Sequence, residues 1–92
     1  MLRFTLGNAC LAEDRVSEAV EHLARAVELK PDYSAAWKQL GRALHAAGEP
    51  ARALEAFASG RAAAETNGDK QTLKEIDVFE RRARRALDAP DG

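Results

Sequence analysis

Apolar residues recur along this 92-residue chain at helical spacing, and polar or glycine-containing turns divide them into five segments. Pro31 ends the second segment, because a proline disfavours helix in the residue before it. Asp14 and Gly48 stand at two tight turns where a left-handed residue is expected; glycine adopts that conformation freely and aspartate tolerates it. The pattern predicts an all-α chain with helices at about 2–12, 16–29, 34–47, 50–66 and 70–88.

Helix start and stop residues support these boundaries. Asp32 or Ser34 is the expected N-cap of the third helix, and Asp69 is the expected N-cap of the fifth. Pro50 falls in the first turn of the fourth helix, where its missing N–H costs little. Asn67 and Gly68 form a typical C-terminal stop for that helix.

The chain contains an internal repeat of 34 residues. Each matched pair keeps residue identity or size class, and all pairs share one register, which is hard to obtain by chance. The pairs are Leu6 and Leu40, Gly7 and Gly41, Cys10 and Leu44, Ala19 and Ala53, Leu23 and Phe57, and Ala26 and Gly60.

The repeated glycines predict close helix contacts. Gly7 and Gly41 lie inside helices, where glycine costs ~1 kcal/mol relative to alanine. A contact with no room for a Cβ explains their presence, and Ala19 and Ala53 are expected as the small residues on the partner helices. The space between the helices is expected to be filled by larger residues: Leu23, Trp37 and Phe57.

The fifth helix has one apolar face and one charged face. Apolar residues recur along it at intervals of three or four, at Leu73, Ile76, Phe79, Ala83 and Leu87. The opposite face carries Lys74, Glu75, Asp77, Arg81, Arg82 and Arg85. A solenoid needs a terminal unit with one polar side, so this helix is expected to cap the array. The tail, residues 89–92, is expected to be disordered.

Three segments resemble the tetratricopeptide repeat (TPR) family. Residues 37–41, Trp-Lys-Gln-Leu-Gly, match its Trp-x-x-Leu-Gly pattern, and residues 53–57, Ala-Leu-Glu-Ala-Phe, match its Ala-x-x-x-Phe. Residues 29–32, Leu-Lys-Pro-Asp, are similar to its turn between repeats. The resemblance covers residues 1 to about 66. The local departures are Arg3 for the signature Trp, Cys10 and Leu44 for the usual Tyr, and Glu65 for a closing Pro.

The resemblance implies an α-α superhelix of two antiparallel helix hairpins and a fifth capping helix. We expect a single TPR domain over residues 1–88. Its first repeat covers about 1–33, its second about 34–67, and its capping helix about 70–88.

In this family the first helix of each repeat lines a concave groove that binds peptides. The resemblance therefore implies a protein–protein interaction module, an adaptor or scaffold, whose partner is an unknown protein or peptide with acidic groups or a free carboxylate. The alternative is that these groove residues are merely solvated. The expected groove residues are Phe4, Asn8 and Leu11 on the first helix, Lys38, Arg42 and His45 on the third, and Lys74 on the cap.

Some members of the family grip a C-terminal carboxylate with a set of Lys and Asn residues. Asn8 matches that set, but Phe4 stands where its Lys belongs and Gln39 where its second Asn belongs. The clamp is therefore not carried over to this chain.

Charge and composition argue against several classes of function. The net charge is −1 and the pI about 6.1, so no nucleic acid partner is expected. The single cysteine, Cys10, is interpreted as a buried packing residue and favours a cytoplasmic location. No segment has the length of a membrane span. No phosphate loop, metal-ligand spacing or catalytic order is present, so we expect neither a cofactor nor enzyme activity.

Two surfaces leave alternatives open. The arginines at 81, 82, 84 and 85 are interpreted as cations that offset the helix dipole, with Asp77 and Glu80 as partners four residues away. The other interpretation is a contact with an acidic partner or RNA. Separately, Met1, Leu2 and Phe4 are expected to leave an apolar patch on the first helix, so homo-oligomeric assembly is the alternative function.

Overall fold

The computed structural model describes residues 1–89, and those residues form five α-helices with no strand. The expectation for the tail therefore falls mainly on residues 90–92, which lie outside the described part. The all-α prediction is confirmed, and the boundaries agree with the predicted ones to within a residue. The helices are α1 (Leu2–Ala12), α2 (Val16–Leu29), α3 (Ser34–Ala46), α4 (Pro50–Asn67) and α5 (Lys70–Asp88).

Three helices end in the same kind of turn. Asp14, Gly48 and Gly68 each have a positive φ, of 60°, 80° and 68°. In each turn the next residue's N–H bonds the carbonyl five residues back, as in a Schellman motif: Arg15 N to Cys10 O, Glu49 N to Leu44 O, and Asp69 N to Ala64 O, at 2.8–2.9 Å. The first two bonds are one repeat apart, so the sequence repeat is also a repeat of backbone geometry.

Each hairpin closes on a glycine that faces a large side chain. A Cβ at Gly7 would lie 2.5 Å from Leu23 Cγ, and one at Gly41 would lie 2.5 Å from Phe57 Cδ1. Leu23 and Phe57 are fully buried. Close contacts at the repeated glycines are therefore present. The nearest partners are these two large side chains rather than Ala19 and Ala53, which are fully buried.

Trp37 packs against the core as expected, but less deeply than Leu23 and Phe57. Its side chain is only partly buried, and its indole N–H donates a 2.7 Å hydrogen bond to the Pro31 carbonyl at the turn. Trp37 Cβ packs against Gly60, which also approaches Ile76 of α5. Trp37 therefore packs against the core but is not fully buried, because its indole N–H bonds a carbonyl at the surface turn.

α5 packs against α4 and α3 and covers the second hairpin. Ile76 and Ala83 are fully buried, and the Phe79 ring stacks on Phe57 with centroids 6.2 Å apart. Leu87, in the last turn, stays about half exposed, so the predicted apolar face stops short of the helix end. On the other flank, Arg61 of α4 pairs with two carboxylates of α5, Asp77 and Glu80.

The N-cap residues of the helices agree with the prediction only in part. The N-cap of α3 is Tyr33, and neither Asp32 nor Ser34 caps that helix through its side chain. Ser34 is instead buried at the first helical position, where its hydroxyl donates a 2.8 Å hydrogen bond to the Asp69 carboxylate. Asp69 caps α5 as predicted by accepting from Thr72 N at 3.1 Å. One carboxylate therefore both starts α5 and ties it to α3.

Gly41→Ala tests the glycine contact. Alanine is the better helix former by about 1 kcal/mol, so the substitution would stabilise a helix with free space beside it. Here the added methyl would enter the Phe57 ring, and overpacking of this kind typically costs about 1–3 kcal/mol. We expect urea unfolding to show a lower free energy of unfolding than the parent. An equal or higher value would contradict this packing.

Asp69→Ala tests the double role of that carboxylate. Loss of an N-cap typically costs about 0.5–2 kcal/mol. Hydrogen bonds from Thr72 and then Ser34 also lower the pKa of Asp69 in the folded state. The unfolded chain therefore binds the proton more readily, and stability from this group is complete above the ordinary pKa of about 4 and is lost as the pH falls.

The expected result is a lower melting temperature at neutral pH and a weaker dependence of stability on pH below about 4. Asp32→Ala is the matched control, because that carboxylate was the predicted cap of α3 and makes no capping bond. It should unfold within about 0.5 kcal/mol of the parent. Equal effects of the two substitutions would contradict the assignment of Asp69.

Candidate functional site

The candidate surface is the one that carries the first helix of each hairpin and the cap, that is α1, α3 and α5. α3 lies in the middle and contacts both neighbours. Two clefts lie along this surface, one between α1 and α3 and one between α3 and α5. Arg42 of α3 lines both of them.

The cleft between α1 and α3 has a volume of about 170 Å³ and a hydrogen-bonded polar wall. Gln39 donates from Nε2 to Asn8 Oδ1 at 2.8 Å, and Arg42 donates from Nη1 to Gln39 Oε1 at 3.0 Å. These two bonds fix the orientation of the Gln39 amide and of the Arg42 guanidinium. The lining residues are Asn8, Leu11, Ala12, Gln39 and Arg42.

The cleft between α3 and α5 has a volume of about 230 Å³ and combines an aromatic floor with cationic walls. The guanidinium carbon of Arg42 lies 4.8 Å from the centre of the Phe79 ring, and that of Arg82 lies 5.7 Å from it. Such cation–π contacts hold the two guanidinium groups beside the cleft. Its lining residues are Arg42, His45, Ala46, Phe57, Phe79 and Arg82.

Lys38 differs from the free groove cation that the sequence suggested. Its ammonium forms a 2.9 Å ion pair with Glu75 of α5, and only 15% of its side chain is exposed. The Lys38 hydrogen bond lowers the pKa of Glu75. The pair joins α3 to the cap, and the charge of Lys38 is already neutralised by Glu75. A Lys38→Glu substitution would set two carboxylates together, so the fold would be affected.

Two other expected groove residues lie apart from the clefts. Phe4 packs on Tyr33, with ring centroids 4.7 Å apart, at the N-terminal ends of α1 and α3. Lys74 is exposed on α5 and lines neither cleft. The structure thus brings Asn8, Leu11, Arg42 and His45 to the two clefts and does not bring Phe4, Lys38 or Lys74 to them.

Sequence reasoning missed four residues of the clefts. Gln39 was noted only as a departure from the carboxylate clamp, Phe57 and Phe79 were assigned to the core, and Arg82 was assigned to the charged face of α5. Phe79 and Arg82 are three residues apart on a helix, so they share a side. That spacing was the available signal, but the angle at which α5 packs on α3 decides that this side meets Arg42.

The interpretation of the arginines of α5 as partners of Asp77 and Glu80 is wrong. Both carboxylates bind Arg61 of α4, and their hydrogen bonds raise the pKa of Arg61. They therefore point toward α4 and are committed to the helix interface. The four arginines at 81, 82, 84 and 85 are exposed and take part in none of the ion pairs found in residues 1–89.

The remaining reactive residue types are dispersed or buried. Cys10 is a buried free thiol in the first hairpin. His22 lies 3.1 Å from an Arg3 nitrogen on the surface of α1 and α2. Residues 1–89 contain no group of three His, Cys, Asp or Glu side chains placed to hold a metal ion. No helix in this part of the chain is long and apolar enough to cross a membrane.

Comparisons with known proteins agree with the repeat and with the fold. A family model described as tetratricopeptide repeat matches residues 10–75. A TPR repeat-containing protein of Pseudomonas aeruginosa is 50% identical over 86 residues, which cover 94% of this chain and 82% of that protein.

Solved structures show the same architecture. The solution structure of a Bordetella parapertussis protein shares 44% sequence identity and superposes with a TM-score of 0.81, over 95% of this chain and 77% of that one. A tetratricopeptide repeat domain protein of Salinibacter ruber has a TM-score of 0.84 at 23% identity, over 99% of this chain and 92% of that one, and supports the fold alone. With its 34-residue repeat, its paired helices and these relatives, the chain belongs to the tetratricopeptide repeat family.

Proposed function

We propose that the chain is an interaction module that holds an acidic segment of a partner protein in the groove of α1, α3 and α5. Membership of the TPR family supports a role in protein–protein interaction in general. The groove, the acidic partner and the roles of individual residues are the specific parts of the proposal. An enzymatic role has no support in the arrangement of side chains described above.

The state of Arg42 carries the proposal. One of its N–H groups bonds Gln39 and its guanidinium carbon lies 4.8 Å from the centre of the Phe79 ring, yet none of the ion pairs found in residues 1–89 includes it. A guanidinium has five N–H donors, so most of them stay available to a ligand. Because its position is already fixed, binding an anion costs less conformational entropy than it would for a free arginine.

Residues on both sides of Arg42 offer further groups that can bind a peptide. Toward α5, His45 and Arg82 line the same cleft, so a carboxylate there has three nitrogen-bearing side chains around it. Toward α1, the amide N–H₂ of Asn8 remains a donor for a peptide carbonyl, because Asn8 meets Gln39 through its oxygen. Leu11 adds apolar surface to that side. The groove thus suits an extended peptide with an acidic residue at its centre.

Arg42→Gln tests this function. The substitution removes the charge while keeping a polar side chain of similar reach, so the fold should be retained in circular dichroism. A charge-assisted hydrogen bond contributes about 1.5–3 kcal/mol, which corresponds to a loss of about tenfold to a hundredfold in affinity. The partner is first captured from native cell extract with the parent protein, and its binding segment is then titrated against both proteins.

Arg52→Gln is the matched control, with the same change of charge on α4. Arg52 is exposed and pairs with Glu49 outside the groove. The control should bind the purified segment with the affinity of the parent. Unchanged binding by Arg42→Gln, or equal losses in both variants, would contradict the groove as the binding site.

Self-assembly is the second candidate, and the exposure of α1 favours it. Met1 and Leu2 are 80% and 70% exposed, and Leu6, four residues after Leu2, is also exposed. The main proposal predicts a mass of 10.0 kDa in solution over a wide range of concentration. A dimer mass that returns to the monomer value in Leu2→Glu with Leu6→Glu, measured by light scattering, would favour assembly instead.

A further inference from the structure

The side of α5 that faces away from α3 and α4 carries a line of exposed cations. Four cations and one valine follow one another at intervals of 4, 4, 3 and 4 residues, which keeps them on one side of a helix. All five side chains are exposed. We call this surface the basic stripe; it consists of Lys70, Lys74, Val78, Arg81 and Arg85.

The carboxylates of α5 that precede its last turn do not neutralise the stripe. Glu75 pairs with Lys38, and Asp77 and Glu80 pair with Arg61, so all three face the neighbouring helices. The ion pairs of residues 1–89 include none of the four cations of the stripe. The whole chain has a net charge of −1, so four positive charges are concentrated on one helix face of a protein that is otherwise acidic.

Helix stability does not account for this pattern. Lys70 and Lys74 lie in the first two turns of α5, where a cation is unfavourable next to the positive end of the helix dipole. Lys70 with Lys74, and Arg81 with Arg85, are like charges four residues apart, and such pairs destabilise a helix. Only Arg85, in the last turn, is well placed for the dipole. The stripe therefore opposes the stability of the helix that carries it.

The length of the basic stripe and the spacing of its cations define the kind of partner that it can bind. From residue 70 to residue 85 a helix rises about 22 Å, the length of about four turns. The cations occur as two pairs separated by Val78, which is 42% exposed. In a longer solenoid the next helix would lie against this side of α5.

We infer that the basic stripe docks an acidic α-helix of a partner protein. The partner helix lies along α5 with Asp or Glu side chains at matching intervals and an apolar residue against Val78. Helices pack in this way when apolar residues meet at the centre and charged residues pair at the sides. This surface is separate from the groove around Arg42, and the inference does not depend on the proposed function.

A nucleic acid fits the stripe less well. Proteins that bind single strands stack bases on aromatic side chains, and the centre of this stripe is a valine. Domains that bind nucleic acid usually have a strongly basic balance, whereas the pI here is about 6.1. A long polyanion would extend past the stripe, whereas a helix of about four turns matches its length.

The test uses two synthetic helical peptides of equal composition. In the first, glutamates repeat at the intervals of the stripe with a leucine at the place of Val78; in the second, the same residues are spread around the helix. Binding to the full chain is measured by fluorescence anisotropy at low and moderate salt. We expect the first peptide to bind at least about tenfold more tightly than the second, with affinity that falls as salt rises.

Variants assign the binding to the stripe. Lys74→Glu with Arg81→Glu should weaken binding of the first peptide by at least about tenfold. The control is Arg25→Glu with Arg52→Glu, which makes the same change in net charge on α2 and α4 and should bind like the parent. Arg42→Gln should also bind like the parent, which separates this surface from the groove.

The stripe variant should in addition melt at the same temperature as the parent or higher, because reversal relieves like-charge repulsion along α5. A lower melting temperature would mean that the cations serve the helix, and the inference would fail. It would also fail if both peptides bind equally well, if the control variant loses as much affinity as the stripe variant, or if a single-stranded DNA oligonucleotide binds the stripe more tightly than the first peptide.

Discussion

The contact between a helix glycine and a large side chain on the next helix governs this structure. Gly41 lets the Phe57 ring lie against the backbone of α3, and Gly7 does the same for Leu23 in the first hairpin. Because the two contacts are one repeat apart, both hairpins close in the same way. Phe57 then becomes the floor on which Phe79 stacks, so the position of α5 and of the cleft beside Arg42 follows from the packing at Gly41.

Pairing inside the protein decides which of its charges are available outside. The chain has 14 Lys and Arg residues and 15 Asp and Glu residues, so composition alone suggests no binding surface. Lys38 forms an ion pair with Glu75, and Arg61 forms ion pairs with Asp77 and Glu80. Those pairs attach the cap to the array, and their carboxylates no longer neutralise the neighbouring cations. Arg42 and the outward cations of α5 are left without acidic partners among residues 1–89.

The sequence was sufficient for the helices, the repeat and the family, because these depend on local spacing and on turn residues such as Asp14, Gly48 and Asp69. It was less informative about the site. Lys38 and Arg42 are four residues apart and look equivalent on a helix diagram, yet one is paired and the other is not. The difference arises from how α5 lies on α3, which depends on packing between residues distant in the chain. Trp37 shows the same limit, since its depth is set by a carbonyl at the Pro31 turn.

The Lys38 charge is paired within the fold, which leaves Arg42 as the cation of α3 that is available in the groove. The pKa of the Glu75 carboxyl, followed by NMR through its side-chain carbon shift, tests this most directly. The hydrogen bond from Lys38 holds that pKa below the ordinary glutamate value of 4.5. We expect the parent to titrate below that value and Lys38→Met to titrate at or above it, because the cation is gone while burial remains. An unshifted Glu75 pKa in the parent, or the same pKa in both proteins, would contradict the pairing of Lys38 with Glu75.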